Sequence, residues 1–175
     1  MRNDQVVTFR RSDYRAPMFV IDRFELVFDL DAEVTTVATR LTVRRAVDAG
    51  ASDEPFWLDG ENLELVALTL DDRPLDARDF ERLDTGIAVR APHAPFSLQI
   101  VNRIHPAANT ELMGLYVSNG SFFTQCEAEG FRRITYFPDR PDMMTRYRVT
   151  LRADKSRYPV LLSNGNLVEQ GDMED

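Results

Sequence analysis

Between residues 24 and 43 the chain alternates apolar and polar side chains with a period of two, a pattern that a helix cannot bury and a strand can. Phe24, Leu26, Phe28 and Leu30 fall on one side, with Arg23, Glu25, Val27 and Asp29 between them, so the run is a strand with one face on a core. After Asp31-Ala32-Glu33 the period returns, with Val37, Thr39, Leu41 and Val43 inward and Ala38, Arg40, Thr42 and Arg44 outward. The two runs make a hairpin that leaves Arg40 and Arg44 in solvent. Further β-type runs occupy 63–70, 80–90 and 96–104, broken by Asp71-Asp72-Arg73-Pro74 and by Pro92-His93-Ala94-Pro95. Tyr147, Val149 and Leu151 alternate with Arg146, Arg148, Thr150 and Arg152. Asn119-Gly120 and Asn164-Gly165 each sit between β-type residues. A two-residue type I′ turn needs positive φ twice, which Asn-Gly tolerates, so both pairs predict hairpins. No window shows a helical period, which limits helix to single turns near 127–133 or 139–145. The fold class that follows is all-β, an antiparallel β-sandwich.

Length and charge narrow what such a sandwich can do. A chain of 175 residues is one domain with room for a sizeable core. Its 21 Lys and Arg against 29 Asp and Glu leave a net charge of −8, which argues against nucleic acid and against an anionic membrane surface. No apolar run approaches the roughly 20 residues that span a bilayer. The opening Met1-Arg2-Asn3-Asp4-Gln5 lacks the apolar core of a secretory signal, giving a cytoplasmic expectation. Cys126 is the one cysteine and so has no internal disulfide partner, while His93 and His105 are the only histidines. No Cys/His cluster has zinc-ligand spacing, so no cofactor is expected in this chain. Glu169-Gln170-Gly171-Asp172-Met173-Glu174-Asp175 follows the second Asn-Gly turn with polar residues and no closing element, as in a fragment.

The stretch that points to chemistry is Gln125-Cys126-Glu127-Ala128-Glu129-Gly130-Phe131-Arg132, continued by Arg133-Ile134-Thr135-Tyr136-Phe137-Pro138-Asp139-Arg140-Pro141-Asp142. Together with Met113-Gly114-Leu115-Tyr116 before it, and Ala153-Asp154-Lys155 and Tyr158-Pro159-Val160-Leu161-Leu162-Ser163-Asn164-Gly165-Asn166 after it, this stretch resembles the N-terminal domain of the bacterial aminopeptidase N family. Those proteins are zinc metallo-aminopeptidases of the gluzincin type. Tyr14-Arg15-Ala16-Pro17 and Phe28-Asp29-Leu30-Asp31 are similar to the family's opening, and 41–106 follows it more loosely. The resemblance implies that residues 1–175 form a single saddle-like N-terminal β domain, slightly truncated at its C-terminal edge. In the family that domain precedes a catalytic domain which holds zinc through H-E-x-x-H. Neither H-E-x-x-H nor G-x-M-E-N occurs here, so the catalytic domain is absent and the chain alone is expected to be inactive. The implied partners are the catalytic domain of the same parent protein and the N-terminus of a peptide substrate, with zinc as the parent's cofactor.

The same resemblance assigns substrate-binding roles to Glu127 and Gln125. A peptide's α-amine has a pKa near 8 and is largely cationic at neutral pH, so a carboxylate is its natural reader. The glutamate of the Gln-Cys-Glu-Ala motif fills that role in the family, and it falls on Glu127. The motif's glutamine lines the pocket for the first side chain, where an amide donates and accepts without imposing charge, and it falls on Gln125. The family also implies a cis peptide at Glu127-Ala128.

Plainer roles suit the neighbouring residues. Glu129 is expected to pair with Arg132 or Arg133 at the surface, and Cys126 to be a buried small apolar residue, with no histidine nearby in sequence to activate it. His93 and His105 are expected at the surface. Phe56, Trp57, Tyr136 and Phe137 fit core and turn packing better than a stacking platform for sugars or bases. Arg132, Arg133, Arg140, Arg146, Arg148 and Arg152 suit surface ion pairs or a domain-docking face better than nucleic acid. The alternative to an aminopeptidase part is a free-standing β-sandwich binding module for carbohydrate or a protein partner.

Overall fold

The computed structural model describes residues 10–47 and 53–173, so the Met1-to-Gln5 opening lies outside the described residues. The predicted hairpin is present as β1 (Phe19–Asp29) and β2 (Thr35–Arg45), paired antiparallel. A bulge at Asp22 shifts the register between Ile21 and Arg23. It resets the alternation, so that Phe19 and Ile21 before it and Phe24, Leu26 and Phe28 after it all reach the core. Arg40 is exposed, while Arg44 lies flat enough on the sheet to bond Asp22 through Nε at 3.0 Å.

Four short strands follow: β3 (Phe56–Asp59), β4 (Glu64–Leu70), β5 (Arg73–Pro74) and β6 (Phe80–Leu83). Then come β7 (Gly86–Val89) and β8 (Phe96–Ile104). The 80–90 run is therefore two strands and not one, folded back at Asp84-Thr85 so that β6 pairs antiparallel with β7. The remaining strands are β9 (Gly114–Ser118), β10 (Ser121–Gln125) and β11 (Arg146–Arg152).

The strands form a six-stranded sheet in the order β11-β1-β2-β8-β4-β5, a three-stranded sheet β3-β7-β6, and the separate hairpin β9-β10. The two larger sheets share one core. Phe19 of the first meets Phe56 of the second at a ring distance of 4.9 Å, and Phe96 lies 5.9 Å from Phe56. Ile21, Leu41, Leu98 and Ile100 on one side and Leu58, Ile87 and Val89 on the other are fully buried between them. This is the all-β sandwich expected, and its ladders are antiparallel with one exception: β11 lies parallel to β1 at the sheet's edge. Among the described residues helix is confined to 3₁₀ turns, including Phe131–Arg133 within the first window that allowed one.

Of the two Asn-Gly pairs, only the first closes a hairpin. Asn119 (φ 49°) and Gly120 (φ 78°) both adopt positive φ and join β9 to β10. At Asn164-Gly165 only the glycine does (φ 90°), and the flanking residues belong to no strand. The physical reason is burial: Val160, Leu162, Leu167 and Val168 are all exposed, so no apolar face drives the two arms together.

Candidate functional site

The Gln-Cys-Glu-Ala motif sits where β10 ends. Residues 126–130 form a tight turn closed by the Gly130 N–H donating to the Cys126 carbonyl at 2.8 Å, and the Phe131–Arg133 3₁₀ turn follows at once. A side chain at Gly130 would place its Cβ 2.5 Å from the Gln125 carbonyl oxygen and 2.8 Å from the Cys126 Cα, so the turn closes only around glycine. The Glu127-Ala128 peptide is cis, as the motif implied.

Gln125 and Glu127 come together at this turn. The Gln125 side chain donates through Nε2 to the Glu127 carbonyl at 2.9 Å, so the amide braces the backbone that carries the carboxylate. Both residues are exposed, and no cation among the described residues pairs with the Glu127 carboxylate. Glu129, by contrast, lies 3.6 Å from the Arg132 guanidinium, the surface pairing expected of it. Cys126 is half-buried against the core, and burial first, then the field of Asp139, pushes its thiol pKa up. That is the reverse of an activated nucleophile.

The platform beneath the turn is more elaborate than the motif suggests. Phe131 and Phe137 pack with Phe24 of β1, at ring distances of 6.0 Å and 4.8 Å, and with each other at 5.3 Å. Asp59 and Phe137 exchange backbone hydrogen bonds at 3.0 and 3.1 Å, tying the segment to β3. Asp59 then accepts twice more, from Trp57 Nε1 at 2.9 Å and from the Asp139 N–H at 2.9 Å. Arg132 donates through Nε to Asp139 at 3.0 Å. Burial opposes the Arg132 charge, but the bond to Asp139 and the fields of Asp59 and Glu129 outweigh it and hold the guanidinium firmly protonated. Arg133 spans Glu61 at 2.9 Å and Glu111 at 2.8 Å. From β8, fully buried Asn102 donates to the Ile134 carbonyl at 2.9 Å.

Asn102 and Asp59 escape a reading of the motif alone. For Asn102 a signal exists, since it is the polar member of the inward set Phe96, Leu98, Ile100, Asn102 and Ile104. A polar side chain at an inward position must find a partner, and here it finds the site's backbone. Asp59 has no comparable signal, because β3 is too short to show a period.

The two histidines lie apart from the turn. His93 is exposed beside Asp53 at 3.2 Å, and His105 shares a 2.9 Å hydrogen bond with the Glu33 carbonyl. Phe56, Tyr136 and Phe137 are buried and Trp57 is partly so, which makes them packing residues. Arg132, Arg133, Arg140, Arg148 and Arg152 all have carboxylate partners. Among the described residues no group of three or more His, Cys, Asp or Glu is placed to hold a metal, so these side chains do not assemble a zinc donor set. No helix among them is long and apolar enough to cross a membrane.

Residues 20–175 match the family described as the Peptidase M1 N-terminal domain. The chain is 48% identical over 165 residues to aminopeptidase N of Escherichia coli, covering 94% of this chain and 18% of that protein. It is 47% identical over 178 residues to aminopeptidase N of Caulobacter vibrioides, covering 99% of this chain and 20% of the relative. It thus spans about a fifth of the length of these relatives. Among solved structures it is similar to Legionella pneumophila aminopeptidase A in complex with aspartic acid, with a TM-score of 0.84 and 34% identity, over 90% of this chain and 19% of that one. The turn that presents Gln125 and Glu127 therefore stands on a β-sandwich that belongs to the N-terminal domain family of the M1 peptidases.

Proposed function

We propose that this chain is the substrate-reading N-terminal part of a zinc aminopeptidase, with Glu127 binding the α-ammonium of the peptide and Gln125 lining the pocket for its first side chain. One observation carries the reading. Glu127 is an exposed carboxylate that no cation among the described residues pairs with, on a turn whose backbone is held by Gln125 and by the Gly130 closure. An acid left unpaired on a braced loop is available to a cation from outside, and a peptide N-terminus supplies one at neutral pH.

Alone, the pair would form in water, where an exposed ion pair is worth about 0–1 kcal/mol. The chemistry therefore requires a second wall, and the reading supplies it as the catalytic domain of the same parent protein, which would carry the zinc and enclose the amine. Enclosure strengthens the ion pair and fixes where the peptide begins relative to the metal. Within this chain the residues only bind and orient; no bond-breaking step is assigned to them.

The test is Glu127→Gln in the whole aminopeptidase that carries this domain. The isosteric amide keeps the shape and removes the charge, so kcat/KM for peptides with a free N-terminus falls about ten- to a hundredfold while bound zinc is unchanged. Turnover equal to the parent enzyme would rule out the amine-reading role.

A further inference from the structure

We propose that Asn164 is a site of spontaneous covalent modification, deamidating through a cyclic imide formed with Gly165, and that the fold spares the same dipeptide at Asn119-Gly120.

The reaction needs these two residues and water. The Gly165 backbone nitrogen attacks the Asn164 Cγ; the N–Cγ bond forms, the Cγ–Nδ2 bond breaks, and the side-chain amide leaves as ammonia with the proton that the Gly165 nitrogen gives up. Water then opens the five-membered ring at either carbonyl. One opening gives aspartate, the other isoaspartate, in which the chain runs through Cγ. Both products add a negative charge to a chain already at −8, and isoaspartate also adds a backbone carbon. Glycine matters because it has no Cβ to hold its nitrogen away from the attacked carbon.

Exposure does not separate the two pairs. Asn119, Gly120, Asn164 and Gly165 are all exposed, and a Cβ on either glycine would meet no atom within 4 Å. The difference lies in the backbone. Asn119 and Gly120, both at positive φ, are the two central residues of a turn closed by the pairing of Ser118 with Ser121, and the ladder runs on to Gly114 and Gln125. That hairpin is pinned by buried Leu115 and by Phe122, which packs against the core. Ring closure swings the peptide plane between the two residues about the asparagine Cα–C bond, so at Asn119 the end of the hairpin must open first.

Asn164 meets no such barrier. Here only the glycine has positive φ, residues 159–168 belong to no strand, and no hydrogen bond or ion pair among the described residues reaches them. Leu162 and Leu167 on either side are exposed, so burial does not resist the swing. Asn166 lies in the same open segment but precedes Leu167, whose Cβ crowds the attacking nitrogen, and it serves as an internal control.

The test is to age the 175-residue chain at mildly alkaline pH, in buffer and in guanidinium chloride, and to follow the amide-to-acid mass gain at each asparagine by tandem mass spectrometry of tryptic peptides. In buffer Asn164 is expected to convert about tenfold faster than Asn119, because only the latter waits on local opening. In guanidinium chloride the two rates converge, and Asn166 stays behind both. Equal rates in buffer, or Asn119 leading, would overturn the proposal. A preference for Asn164 that persists undiminished in guanidinium chloride would also overturn it, since neighbouring residues and not the fold would then set the rates. Asn166 converting as fast as Asn164 would remove the role of Gly165.

Discussion

At the scale of single residues the site depends on what is absent as much as on what is present. Gly130 has an ordinary backbone conformation (φ −89°), so its importance is steric: no side chain fits between it and the Gln125 carbonyl. Gly130→Ala must push β10 away from the turn, and overpacking of this kind costs about 1–3 kcal/mol. Urea unfolding should show a lower midpoint, and because Gln125 moves with its strand, the bond to Glu127 is lost with it. An unchanged midpoint would mean that the turn yields without cost. Cys126 gives a second prediction. Burial and the nearby Asp139 raise its thiol pKa in the folded state, so the protonated form is favoured there and folding is assisted below the ordinary thiol range. As pH rises through that range toward the raised folded value, this contribution is lost. A disulfide reagent such as DTNB should therefore modify Cys126 in the native chain far more slowly at neutral pH than in the urea-unfolded chain, with the gap narrowing as pH rises. Comparable rates at neutral pH would contradict a shielded thiol.

At the scale of elements, the turn is only as well placed as the strands that anchor it. Asp59, at the end of β3, joins the indole of Trp57 to the backbone of Asp139. Asp59→Ala leaves the half-buried Asp139 N–H without its acceptor, a loss of about 1.5–3 kcal/mol for a bond to a charged group. Trp57 is the chain's one tryptophan, so the loss is visible as a change in its emission together with a lower Tm. A normal melting curve with unaltered emission would show that the aromatic cluster of Phe24, Phe131 and Phe137 holds the segment unaided. The elements also differ in how plainly the sequence announces them. The strands β1, β2 and β8 were legible because each has one wet and one dry face, which is what a period of two records. In β7 all four residues are buried, so there is no alternation to see and the turn before it merges into a single run. The alternation of β11 marks a strand without naming its neighbour, and its parallel docking on β1 depends on tertiary contacts. The candidate site divides in the same way: the resemblance pointed to Gln125 and Glu127, whereas Asp59 and Asn102, which hold the backbone of Ile134, Phe137 and Asp139 just after that turn, act from strands distant in sequence.

At the scale of the whole molecule, two kinds of attachment separate the sandwich from the stretch after β11. Each sheet strand is held by a ladder, and the inner strands β1, β2 and β8 by buried side chains as well, whereas residues 154–173 belong to no strand. Their polar ties are exposed pairs, Lys155 to Asp172 at 2.5 Å and Arg148 to Glu169 at 3.8 Å, each worth about 0–1 kcal/mol. Apolar burial adds little, with Leu162 85% and Val168 77% exposed; the ring contact of Tyr158 with Phe122 is the firmest hold. A protease needs an extended segment that leaves its neighbours at low cost, so trypsin should cut the native chain after Lys155 and Arg157 well before it cuts at Arg40 or Arg103, whose backbones lie in the middle ladders of the six-stranded sheet. Mass spectrometry of early time points distinguishes the cases, and early cleavage at Arg40 or Arg103 would show that the sheet opens as readily as its appendage. The same digestion in the whole aminopeptidase asks what the exposed valines and leucines are for. If neighbouring chain covers them, Lys155 and Arg157 become resistant while the rate of cutting inside the sheet is unchanged; if they remain the first sites, that apolar surface faces solvent there too.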